Sequence, residues 1–73
     1  MRIVNERADQ YGDPSPNMER TAALWSAYLG QPVTAHDVAM CMVLVKVSRA
    51  KAGVNADNYV DIAGYASIAQ DLR

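Results

Sequence analysis

The sequence contains no phenylalanine, one tryptophan and one cysteine among its 73 residues. Because aromatic side chains are few and small apolar ones are many, the core is expected to form by close helix packing rather than around large rings. The single cysteine, Cys41, excludes an internal disulfide framework, and its position in the most apolar run predicts a buried, reduced thiol. No apolar run approaches the ~20 residues that span a bilayer, so neither a membrane segment nor a membrane partner is expected and a cytoplasmic protein is predicted.

The chain also has little excess charge of either sign. Its net charge is −1 with 21% charged residues, so the basic surface that duplex DNA requires is not indicated. Seventy-three residues predict one domain over 1–73, close to the lower size at which a single core is stable. Since chains of this size bury only ~60% of their unfolded surface, self-association into a dimer or a higher homo-oligomer is expected.

The most apolar stretch is DVAMCMVLVKVSRAK, residues 37–51, in which every residue from Val38 to Val47 except Lys46 is apolar. At about 100° per residue these side chains surround a helix instead of lining one stripe, which is typical of a buried helix. Other segments or other copies of the chain are therefore expected to cover it. The run from Cys41 to Val47 also suits a buried strand, but the capping signals and the length favour a helix.

Capping residues divide the chain into helices and predict an all-α fold, a small bundle of three main helices at about 16–29, 35–52 and 56–72. A short N-terminal helix within residues 1–10 is a further expectation. Ser15 is the predicted N-cap of the first helix and Gly30 its C-terminal stop. Thr34 and Asp37 form a capping-box pattern before the second helix, Gly53 ends it, and Asn55 is placed to cap the third.

Two carboxylates one helical turn apart, Asp57 and Asp61, stand beside apolar residues on the third helix and are followed by Tyr65. Like charges at this spacing repel, which indicates a neighbouring cation. That cation is either a divalent metal such as Mg²⁺ or a side chain of the second helix, where Lys46 and Arg49 are three residues apart. A salt bridge and a ligand site both remain open on this reasoning.

Several short segments spaced along the chain form a recognisable pattern: Tyr11-Gly-Asp-Pro, Asn17, Ala23-Leu-Trp-Ser-Ala-Tyr, Asp37-Val-Ala, Lys46-Val-Ser-Arg49 and Val60-Asp-Ile-Ala-Gly-Tyr-Ala66. This pattern resembles a family of small phage proteins from actinobacterial viruses and other phages and prophages. The resemblance extends from Tyr11 to Ala66, and Asp-Ile-Ala-Gly-Tyr is its most specific segment. It implies residence in the cytoplasm of an infected bacterium.

A more distant similarity is to phage nucleotide-modification-associated domains and to all-α MazG-like nucleotide pyrophosphohydrolases. Those enzymes hold Mg²⁺ against a nucleoside triphosphate with the motifs EExxE and ExxD on two helices. Here Glu19 is the only acidic residue between Pro14 and His36, and Asp57 and Asp61 have the spacing DxxxD. One chain thus supplies fewer carboxylates than a two-metal site needs, which implies completion by a second subunit.

These observations predict a protein that binds, and in the MazG-like case hydrolyses, a nucleotide through a Lys/Arg and Asp/Asp constellation. The alternative is a non-enzymatic helical interaction module, binding a host protein or sequestering a signalling nucleotide, in which the same charges form a structural ion network. The candidate ligand-binding residues are Lys46, Arg49, Tyr65, Tyr11, Asn17 and Trp25. The candidate Mg²⁺ ligands are Asp57, Asp61 and Glu19.

Overall fold

A computed structural model describes residues 13–53 and 55–73. Within these ranges the chain forms three helices and no strand: α1 (Ser15–Leu29), α2 (Ala35–Ala52) and α3 (Ala56–Asp71). The predicted all-α class and the three main helices are therefore confirmed. The short N-terminal helix predicted within residues 1–10 lies outside the described residues.

The start of α1 corrects the predicted cap. Ser15 is the first helical residue and not the N-cap, because Pro14 already has helical dihedral angles of φ −74° and ψ −12°. The Asp13 carboxylate instead accepts a hydrogen bond of 2.9 Å from the Ser15 N–H, since a carboxylate is as good a partner for a free helix N–H as a serine hydroxyl. At the other end Gly30 adopts the left-handed φ of 66° that ends the helix as predicted.

The loop between α1 and α2 is held by one hydroxyl. Ser26 Oγ accepts a hydrogen bond of 2.8 Å from the Val33 N–H, and its single proton has two carbonyl acceptors within reach, Ala22 at 2.7 Å and Val33 at 3.2 Å. A partly buried loop must satisfy its backbone groups without water, and Ser26 does so for Val33. No pattern in the sequence indicates this role of Ser26.

Both predicted caps of α2 are present. The Thr34 hydroxyl accepts a 3.0 Å hydrogen bond from the Asp37 N–H, and the Asp37 carboxylate accepts one of 3.0 Å from the Thr34 N–H. This reciprocal pair is the capping box that the sequence indicated. The helix ends before Gly53, whose N–H donates to the carbonyl of Arg49.

The predicted cap of α3 is also confirmed, since the Asn55 side chain accepts a hydrogen bond of 2.9 Å from the Asp57 N–H. The helix ends at Asp71, one residue before the predicted end. The N–H of Leu72 bonds to the carbonyls of Ile68 and Ala69 and closes the final turn.

A core of small and flexible side chains joins the three helices. Its buried members are Met18 and Ala22 from α1, Val38 and Ala39 from α2, and Ala69 from α3. Partly buried apolar residues surround them, namely Trp25, Val33, Ala35, Tyr65, Ile68 and Leu72. The expected packing through small residues is thus observed in this part of the chain, and it lets α1 and α3 approach α2 closely.

Of the two coverings predicted for α2, the other segments of the same chain supply only one side, and covering by other copies of the chain stays a prediction. These segments cover the side that carries Val38 and Ala39, while Leu44 is 65% exposed, Val47 47% and Met40 42%. Cys41, predicted to be buried, is an exposed free thiol. The reason is that an apolar sequence surrounds the helix evenly, whereas two neighbouring helices cover only the arc that they contact.

Candidate functional site

The predicted charged constellation forms around one ion pair between α2 and α3. Lys46 Nζ lies 3.1 Å from Asp61 Oδ2, and the two side chains are only 16% and 17% exposed. Lys46 is seven residues before Gly53 and Asp61 eight residues after it, as expected for an antiparallel helical hairpin. We call this pair the clasp, because it joins the two helices about two turns from the point where they connect.

Two other members of the constellation lie between the clasp and the connecting turn. Arg49 is on the turn of α2 that follows Lys46, and Asp57 is on the turn of α3 that precedes Asp61. Both side chains are exposed. This end of the hairpin therefore presents a guanidinium and a carboxylate to solvent beside a pair that is already neutralised.

The remaining polar candidates lie on α1. Asn17 and Glu19 are both exposed near its N-terminal end. Among residues 13–53 and 55–73, no group of three or more His, Cys, Asp or Glu side chains is close enough together to hold a metal ion. The predicted Mg²⁺ ligands, Asp57, Asp61 and Glu19, therefore do not gather into a three-ligand group within the described chain.

The aromatic candidates contribute to packing. Trp25 of α1 and Tyr65 of α3 are half-buried and pack against the core. Each ring thus contributes to the stability of the fold. Because each is only half-buried, part of each ring surface is still accessible to solvent. Tyr11, the other predicted stacking residue, lies outside the described residues.

A second feature of interest is the exposed side of α2, opposite Val38 and Ala39. It carries Met40, Cys41, Leu44, Val47 and Ser48, all of them exposed, and we call it the outer face. Asp37 and Lys51, also exposed, stand at its two ends. Large apolar side chains grouped on an exposed helix side are typical of surfaces that bind another protein.

Two carboxylates at helix starts have a perturbed ionisation. Hydrogen bonding from the Ser15 backbone holds the pKa of Asp13 below its ordinary value of 3.8. Hydrogen bonding from the Thr34 backbone, supported by the Thr34 hydroxyl and by nearby His36, lowers the pKa of Asp37 in the same way. Each hydrogen bond favours the ionised form, which is why the pKa of each carboxyl is lowered.

The structure also assigns places to residues that the sequence analysis did not single out. Asn58 of α3 is buried at 6% exposure, and it lies three residues from Asp61 on the same helix. Gly64, on α3, is buried as well. The sequence did contain an indication of the outer face. Asp37, Leu44 and Lys51 are spaced seven residues apart, and this spacing keeps them on one side of a helix.

None of the described helices combines the length and the apolar character needed to cross a membrane.

Comparison with known proteins connects the chain to phages. The family model described as "Domain of unknown function (DUF6378)" matches residues 1–73. The "Gene 55 protein" of Mycobacterium phage L5 is 45% identical over 74 residues, covering 97% of this chain and 47% of the relative. The "Gene 55 protein" of Mycobacterium phage D29 is 39% identical over 71 residues, covering 96% of this chain and 47% of the relative.

The chain thus spans about half the length of these curated relatives, 47% in each case. No solved structure matches it with significance.

Proposed function

The chain belongs to the DUF6378 family, and from this premise and its geometry we propose that it is a non-enzymatic helical interaction module that binds protein through the outer face of α2. The observation that carries the proposal is the exposure of Leu44, which is 65% accessible in the middle of an apolar helix side. In its phage-family setting, the module would act inside the infected bacterium.

The outer face has the composition of a binding surface. Leu44 is flanked by Met40 and Val47 on the neighbouring turns. Complete burial of a leucine or methionine side chain contributes a favourable free energy of ~1.5–3 kcal/mol. Charged residues are confined to the ends of the face, as in interfaces where an apolar centre is surrounded by a polar rim. The partner is therefore expected to present an apolar strip of similar length.

The clasp supports the same proposal from the other side of α2. Lys46 and Asp61 neutralise each other at 3.1 Å, and a partly buried pair of this kind holds two helices in register. In this account the charges singled out in the sequence fix the hairpin, and the hairpin presents the outer face.

The test is site-specific photocrosslinking. p-Benzoylphenylalanine replaces Leu44 in one sample and Leu24 in another, because Leu24 of α1 is also 65% exposed. In an extract of phage-infected cells, position 44 is expected to give a protein adduct that position 24 does not, and adding Val47→Asp is expected to abolish it. Equal labelling from the two positions, or no adduct from position 44, would reject the proposal.

A second candidate function is nucleotide binding at the end of the hairpin. It is favoured by Arg49, an exposed guanidinium on the turn of α2 that follows Lys46, because arginine forms bidentate contacts with phosphate. On this account Lys46 would assist with a phosphate, Asp57 and Asp61 would hold Mg²⁺, and a second subunit would supply further carboxylates, with or without hydrolysis.

Isothermal titration with nucleoside triphosphates and cyclic nucleotides, with and without Mg²⁺, tests this candidate. Arg49→Gln is expected to abolish the binding heat without changing the melting temperature, whereas Arg20→Gln, which removes an exposed guanidinium from α1, is expected to leave binding intact. Absence of heat with every nucleotide would exclude it.

A further inference from the structure

We propose that the occupant of the outer face is a second copy of this chain, with the two α2 helices antiparallel across a two-fold axis at Leu44. This inference rests on the proposed function, since it names the partner of the same surface. It is carried by the symmetry of the residues on that surface and by the opposite charges at its two ends.

The residues of the outer face are arranged symmetrically about Leu44. Asp37 and Lys51 lie seven residues before and after it, and Cys41 and Val47 lie three residues before and after it. Because seven residues advance a helix by two turns less ~20°, Asp37 and Lys51 point to the same side as Leu44. An antiparallel copy therefore places Leu44 opposite Leu44 and Cys41 opposite Val47 at the centre of the contact, with Met40 opposite Ser48 beside them.

The charges at the ends select the antiparallel direction. In this arrangement Asp37 of each copy faces Lys51 of the other, which gives two opposite-charge contacts. A parallel arrangement would put Asp37 against Asp37 and Lys51 against Lys51, and like charges in an interface are unfavourable. Asp37 is suited to the contact because only one oxygen, Oδ2, accepts from the Thr34 N–H, which leaves Oδ1 for the ammonium of the second copy.

The size of the surface sets the expected strength. α2 contains 18 residues, which corresponds to a length of about 27 Å. A single helix pair of this length buries less than the ~1,600 Å² of a standard protein interface. We therefore expect a dimer with a dissociation constant on the order of 10 μM, weak enough to respond strongly to one substitution at its centre.

Sedimentation equilibrium of the 73-residue chain tests the association. Leu44→Glu places two carboxylates against each other at the axis and is expected to weaken the dimer at least ~100-fold. Leu24→Glu is the matched control, with the same residue type and the same 65% exposure on α1, and is expected to leave the dissociation constant within about twofold. A monomer for the unmodified chain at 200 μM would overturn the inference.

Cysteine crosslinking tests the direction. In the antiparallel dimer the two Cys41 residues are about 9 Å apart along the helix axis, beyond the 4.4–6.8 Å between Cα atoms that a disulfide allows. Val47→Cys creates a partner opposite Cys41, so copper–phenanthroline oxidation is expected to give a covalent dimer with Val47→Cys and none with Cys41→Ser/Val47→Cys. A covalent dimer of the unmodified chain through Cys41 would indicate the parallel arrangement and reject this one.

The photoadduct and the sedimentation result together distinguish failure of the second copy as occupant from failure of the interaction module. If the photoadduct from position 44 has twice the mass of the chain, the second copy is the occupant. If it contains a different protein and the chain sediments as a monomer, the second copy is rejected while the interaction module stands. If no adduct forms at position 44, both are rejected.

Discussion

Replacing Lys46 by methionine is expected to destabilise the fold by about 2 kcal/mol. The substitution keeps the apolar stem of the side chain and removes the ammonium that lies 3.1 Å from the Asp61 carboxylate. The Asp61 side chain, at 17% exposure, then loses this ion pair. Since this pair joins α2 and α3 in addition to their apolar contacts in the core, the loss is expected to appear as reduced stability of the whole hairpin.

The magnitude follows from the exposure of the pair. A fully exposed ion pair contributes ~0–1 kcal/mol, whereas removing one partner of a fully buried pair costs ~3–5 kcal/mol. With the two side chains 16% and 17% exposed, the clasp lies between these cases. For a domain of this size about 2 kcal/mol corresponds to a decrease of ~10 °C in melting temperature.

The assay is urea unfolding monitored by circular dichroism for the unmodified chain, Lys46→Met, Asp61→Asn and the double variant. The double-mutant cycle is expected to give a coupling energy of about 1 kcal/mol or more. Arg49→Met, at an exposed position one turn away, is the control and is expected to change the free energy of unfolding by less than about 0.5 kcal/mol. A coupling energy near zero would refute the structural role of the clasp.

Three further predictions concern single residues. Ser26→Ala is expected to cost about 1–2 kcal/mol in urea unfolding, because the loop loses a donor and an acceptor, while exposed Ser48→Ala is expected to change less than ~0.5 kcal/mol and equal effects would contradict the loop role. Gly64→Ala is expected to stabilise the fold by about 0.5–1 kcal/mol, since an added Cβ meets no atom within 4 Å. Gly30→Ala, at φ 66°, is expected to destabilise it by about 1 kcal/mol. Melting temperatures that shift in the same direction for both variants would contradict this. Because the pKa of Asp37 is lowered from 3.8 in the folded chain, its carboxylate stabilises the fold above pH 3.8, and this contribution is lost as the pH falls through the folded-state pKa. Asp37→Asn should therefore reduce the dependence of the free energy of unfolding on pH in the acid range, measured by circular dichroism. An unchanged dependence would count against this role.

The helix boundaries were predictable because they depend on neighbouring residues. The capping box of Thr34 and Asp37, the cap by Asn55 and the left-handed Gly30 all rest on contacts within a few residues. The prediction failed at Ser15 for a local reason too, since Pro14 already has helical dihedral angles and takes the N-cap position, which makes Ser15 the first helical residue. Local signals thus fix where helices begin and end to within one residue in this chain.

What surrounds each helix was harder to predict. An apolar pattern on all sides of α2 shows that burial is favourable, but the choice between a buried and an exposed Cys41 depends on where α1 and α3 lie. The clasp shows the same limit, because the sequence left Lys46, Arg49 and a metal ion as alternative partners for Asp57 and Asp61. Which side chains pair across the hairpin depends on how α2 and α3 are aligned along each other. The number of residues from Gly53 to Lys46 and from Gly53 to Asp61 gives this alignment only if the two helices are assumed to be antiparallel.

The two sides of α2 provide a test of the whole interpretation. Val38 and Ala39, at 1% and 0% exposure, are the part of α2 that the fold needs, whereas Leu44 at 65% exposure contributes little to it. Leu44→Glu should therefore change association without lowering the melting temperature of the monomer, and Lys46→Met should lower the melting temperature without acting directly on the outer face. If Leu44→Glu unfolded the monomer at low concentration, the outer face would belong to the core of the chain, and neither binding proposal for that face would remain.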